Sequence, residues 1–70
     1  KMFMVKAGDE PYKGIEVGFW REKSDAIECA KRFMKQTEME DKWIEKEEGV
    51  WMVDCYWIHI VEVKEHVDLF

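Results

Sequence analysis

Cys29, Cys55, His59 and His66 are the residue types from which a nucleophile or a metal site would be built. Cys55 and His59 fall on one face of the aromatic run that contains them. Four residues along a strand span roughly 13 Å, whereas zinc ligands converge within about 2.3 Å of one ion. The two therefore do not chelate together. All four could meet only if the fold brought helix and tail to one place, and the chain has no CxxC and no HxxxH. A nucleophilic enzyme would need Cys55 or Cys29 beside His59, a third group to orient the base, and a concave site. One thin sheet with one helix is expected to offer no deep pocket. A small Cys/His-dependent enzyme is accordingly the least favoured reading, and Cys29 and Cys55 read as small, reduced, hydrophobic residues of a cytosolic protein.

Other chemistry fares no better. Paired carboxylates need a cleft that raises one pKa, whereas Glu45, Glu47 and Glu48 stand beside a turn with Lys42 and Lys46 among them. Gly8, Gly14 and Gly18 are not followed by a helix whose N-terminus could hold phosphate. Trp51, Tyr56 and Trp57 sit among acids, with Lys64 as the only base nearby, so direct nucleic-acid stacking is not expected. No catalytic residue, cofactor or metal is expected, and the chain reads as non-enzymatic.

The elements that carry these residues follow from patterning. Residues 50–65 form the densest apolar stretch, rich in aromatic and β-branched types that suit a strand. Trp57, His59, Val61 and Val63 fall on one face, and Tyr56, Ile58 and Ile60 on the other. A run apolar on both faces belongs at the centre of a sheet. Its length predicts a break near Asp54-Cys55. Residues 2–7 predict a first strand with Phe3 and Val5 opposite Met2 and Met4. Residues 8–14, with two glycines and the single proline, predict a turn. Residues 15–20 alternate as a second strand, antiparallel to the first, with Ile15, Val17 and Phe19 on one face and Trp20 on the other.

A helix is expected from 25 to 36, capped by Ser24 or Asp25. Ala26, Ile27, Ala30, Phe33, Met34 and Thr37 make its apolar stripe. Residues 42–48 could be a last helical turn or a short strand, with Glu48-Gly49 a tight turn. Residues 66–70 read as a short tail, frayed or docked by Leu69 and Phe70. The expected architecture is a single α+β domain over residues 1–65, β-β-α-β with a possible extra strand, one amphipathic helix on a small antiparallel sheet.

The segments Lys-Met-Phe-Met-Val, Pro-Tyr-Lys-Gly-Ile-Glu-Val-Gly-Phe-Trp and Ser-Asp-Ala-Ile-Glu-Cys-Ala-Lys give a layout that resembles small phage-encoded accessory proteins. In those a hairpin leads to a Ser-led helix and a final aromatic strand. The likeness covers roughly residues 1–36 and 55–65. It implies a protein that acts in the cytoplasm of a bacterial host by binding a host protein. The acidic stretch 38–48 has no counterpart in that pattern.

Composition narrows the partners. Ten aromatics and 47% hydrophobic residues in a 70-residue chain are enough for a core, and disorder is not expected. No run approaches the roughly 18 apolar residues of a membrane span, and no signal peptide is apparent. Residues 1–36 carry six acids and eight bases, for +2, while residues 37–70 carry ten acids and three bases, for −7. The acidic half argues against binding nucleic acid or an anionic membrane directly. Glu38, Glu40, Asp41, Glu45, Glu47, Glu48 and Asp54 could instead present a DNA-mimic-like pattern of carboxylates to a basic partner protein. Trp20, Trp51, Tyr56 and Trp57 could form an apolar surface for a homodimer mate or another partner. A module in which that aromatic face alone binds a partner, with charge irrelevant, is the alternative. The second face of the sheet must be covered by residues 38–48 or by another chain.

Overall fold

The aromatic run does not continue as one strand. Asp54 takes a left-handed backbone conformation, φ 52°, and with Cys55 makes a two-residue turn between Val53 and Tyr56, which pair across it. The computed structural model describes residues 1–9 and 14–63. In them β1 spans Met2–Asp9, β2 Ile15–Trp20, α1 Lys23–Gln36, β3 Ile44–Glu47, β4 Val50–Val53 and β5 Tyr56–Val63, with one 3₁₀ turn over Glu40–Lys42. All strand pairs are antiparallel and the sheet order is β2-β1-β5-β4-β3. β5 is central, where a strand apolar on both faces belongs. The fold is α+β, one helix on a five-stranded sheet.

Alternation decides which residues meet the helix. Val5 pairs with Ile60 and Ala7 with Ile58, and all four are buried. Above them α1 buries Ala26, Cys29, Ala30 and Met34. Three of those four are small, so the helix can lie close on the sheet; Ile27 and Phe33 pack at the margin of the cluster. Trp51 completes the core from β4, at 7% exposure.

Two expectations about β2 are corrected. Trp20 packs against the core, while Phe19 is 49% exposed. The cause is a bulge: Val5 pairs with Gly18 but Lys6 pairs with Glu16, so Val17 is an extra residue and the alternation reverses. Phe19 then pairs with Met4 on the far face, and Trp20 with Phe3 on the helix side. The Trp20 indole lies against Gly18, where a Cβ would come 3.0 Å from Nε1. That Nε1 is buried without a hydrogen-bond partner.

The helix also begins earlier than its expected cap. Glu22 occupies the cap position without a side-chain bond, and its carbonyl accepts from the Asp25 and Ala26 amides at 3.1 and 3.2 Å. Ser24 and Asp25 are therefore inside the first turn, where the Asp25 charge faces the positive end of the helix dipole. At the other end Glu38, φ 63°, reverses the chain. Residues 38–48 do not cover the face of the sheet opposite α1. They run through the 3₁₀ turn into β3, which adds to the sheet as an edge. The register of β3 shifts between Glu45 and Glu47, giving the second edge a bulge as well. The tail from 66 to 70, with His66, Leu69 and Phe70, lies outside the described residues, as does Lys64.

The open sheet face and the acidic edge

With α1 on one side, the strand registers fix what the opposite side presents. Phe19, Met4 and Val61 form one cross-strand row, and Met2 and Val63 the next. Two residues along the strands lies a second row, Glu16, Lys6, His59, Val50 and Glu47. Beyond it come Gly8, Trp57, Met52 and Ile44. The face is thus two apolar bands separated by a charged row in which Lys6 stands between Glu16 and His59. No described element covers it: Phe19 and Ile44 are 49% and 60% exposed, and Met2, Met4, Trp57, Val61 and Val63 are half-buried. Five strands about 4.8 Å apart give a face on the order of 400 Å² in projection. The two apolar bands together make up part of that area, on either side of the charged row.

The four aromatics singled out from sequence divide. Trp57 belongs to the open face, seated where Gly8 and Gly14 leave space. A Cβ on Gly8 would stand 3.0 Å from the Trp57 ring and 2.6 Å from the Gly14 Cα. Tyr56 is 46% exposed on the helix side, beyond the end of α1. Trp51 is buried and Trp20 packs into the core, so neither forms exposed surface. Sequence reasoning missed Met2, Met4, Phe19 and Val61 as a set. The signal was present in the Met2/Met4 alternation, but the β2 bulge that brings Phe19 beside them was not.

The seven acidic residues are all exposed. Glu38, Glu40 and Asp41 follow the helix, Glu45, Glu47 and Glu48 line β3 and its turn, and Asp54 opens the β4–β5 turn. Those on β3 and its turn give that edge a carboxylate-rich border, interrupted by Lys46. Glu48 is partly neutralised, its Oε2 accepting from Lys23 Nζ at 3.1 Å. The pair is exposed and contributes about 1 kcal/mol at most.

The residues that suggested chemistry are separated. Cys29 is a buried free thiol under the helix, Cys55 an exposed one in a turn, and His59 projects from the open face. Among the described residues no group of His, Cys, Asp and Glu is placed to hold a metal ion, and no helix is long and apolar enough to cross a membrane. Comparison with protein-family models, curated proteins and solved structures finds no match to this chain.

Proposed function

We propose that this protein is a non-enzymatic interaction module that dimerises through the open sheet face and uses its acidic edge to engage a basic, nucleic-acid-binding protein. The observation that carries the reading is the double band, covered by no described element, of Met2, Met4, Phe19, Val61 and Val63 on one side and Trp57, Met52 and Ile44 on the other. An isologous interface must complement itself. The charged row is suited to this, because Glu16 and Lys6 on one copy can neutralise Lys6 and Glu16 on the next. Pairing two copies would also present two acidic edges, increasing attraction for a basic partner. This is the accessory role implied by the phage-type resemblance, with the carboxylates standing in for a phosphate backbone.

Sedimentation tests the first half. The reading expects a dimer at micromolar concentration that becomes monomeric, still folded, when Met4 or Val61 is replaced by Asp; a monomeric native protein refutes it. The second half is tested with a partner captured from bacterial lysate. Raising salt from about 50 to 500 mM should weaken an acid-driven complex severely, since screening shortens the reach of exposed charges to a few ångströms. Unchanged binding after Glu45, Glu47 and Glu48 are replaced by Gln would favour the alternative, a partner docked on the aromatic face with charge irrelevant.

A further inference from the structure

One helix on one sheet was expected to leave no concave site, and one end of the molecule corrects that expectation. α1 stops at Gln36, so Asp9 and Tyr56, paired in register on the helix side of the sheet, have no helix above them. Met39 and Trp43, on the way from α1 to β3, bridge across the gap instead. Between them lies a cavity of about 450 Å³, within the range of roughly 300–1,000 Å³ typical of small-molecule sites. Phe33, Met39, Trp43, Tyr56 and Trp57 wall it, with the exposed Ile15 side chain also contributing. Cys29, Cys55, His59 and the acidic border residues take no part in it.

The polar groups define the ligand. Thr37 Oγ1 is already engaged: it donates to the Met34 carbonyl at 2.6 Å and accepts from the Met39 amide at 3.3 Å and Trp43 Nε1 at 3.0 Å. Among the described lining residues Asp9 is the only charged side chain, none is a lysine or arginine, and Tyr56, paired with Asp9 across the strands, brings a phenol. Aromatic faces carry negative potential and attract cations, most strongly where water is excluded. The described lining, apolar walls with several aromatic rings and the Asp9 carboxylate, complements an ammonium group carried on an apolar body. We propose that this cavity binds a small organic ammonium ion, with the apolar part among Phe33, Trp43 and Trp57 and the charge held by Asp9 and Tyr56. The cavity opens on the helix side of the sheet and shares Trp57 with the open face; it requires no partner protein.

The test is an amide and indole NMR titration of the intact protein with choline, with its neutral isostere 3,3-dimethylbutan-1-ol, and with the larger benzyltrimethylammonium. Both cations should shift Asp9, Tyr56 and the Trp43 indole saturably, with benzyltrimethylammonium the tighter. The neutral isostere should bind about tenfold more weakly than choline. Asp9→Asn should weaken both cations about fivefold or more while leaving the melting temperature unchanged. If Asp9→Asn does not fold, Tyr56→Leu at an exposed position carries the same expectation. Equal binding of the neutral isostere, no saturable shift up to about 20 mM cation, or full affinity in the folded variant would overturn the assignment.

Discussion

The indole N–H of Trp43 donates to Oγ1 of Thr37 at 3.0 Å, joining the last residue of the helical region to the residue that leads into the edge strand. The same hydroxyl donates back to the Met34 carbonyl at 2.6 Å. One side chain therefore ends the helix and anchors the connection to β3. Thr37→Val removes three hydrogen bonds at nearly constant volume and should cost about 1–3 kcal/mol in urea unfolding. Thr37→Ser should keep most of that stability. Equal stability of the Val and Ser variants would show that the hydroxyl contributes nothing.

Glu38 and Asp54 each hold a positive φ, 63° and 52°, which an L side chain adopts at a cost of about 1 kcal/mol. Glycine relieves that strain at a helix end and at the first position of a two-residue hairpin turn. Glu38→Gly and Asp54→Gly should each raise stability by a few tenths to about 1 kcal/mol, the strain relief being offset in part by the greater freedom of glycine in the unfolded chain. The readout is the shift in denaturation midpoint at unchanged m-value. Gly49, φ 81°, is the converse case. A Cβ there has room, 3.7 Å from the nearest atoms, yet Gly49→Ala should still destabilise by about 1 kcal/mol through the backbone alone.

Gly14 is required for space instead. A Cβ there would meet the Ala7 carbonyl oxygen at 2.6 Å and run into the Trp57 ring. Gly14→Ala must push apart the β1–β2 end or expel the indole, at about 1–3 kcal/mol. Expulsion of Trp57 would appear as a red shift and increased quenching of tryptophan emission.

Ile58 is fully buried at the centre of the middle strand. Ile58→Ala should cost about 2–5 kcal/mol. That is a large part of what a domain of this size has available, since total stabilities run from about 5 to 15 kcal/mol. Val61→Ala, on the uncovered face of the same strand, should cost well under half as much in the monomer. Comparable losses at both positions would mean that the second face is covered.

The central strand, its two faces, the hairpin, the helix and its stripe were legible in the sequence because alternation and helical periodicity reflect burial directly. The Asp54-Cys55 break was legible too, from length alone. What escaped was local. A period of two cannot register one inserted residue, so Val17 exchanged the roles of Phe19 and Trp20; only Gly18, isolated within a strand, hinted at the bulge. Trp51 looked like surface because the length of the run fixed the break but not the turn register, which pairs Trp51 with Ile58 on the helix side. The cavity was invisible for a different reason. It arises where α1 ends relative to β1 and β5, a relation between elements that no single stretch of sequence contains.

The two bulges on β2 and β3 have a consequence for assembly. Strand-to-strand growth needs a flat edge with an uninterrupted row of amides and carbonyls. Here both borders of the sheet are irregular, at Val17 on one side and beside Lys46 on the other. A new strand arriving at either border would find its ladder out of step within a few residues. If the open face pairs two copies as proposed, the irregular borders give that pair no edge from which to extend into a fibre. Under that proposal association closes face to face, and a closed pair has no free end from which to polymerise.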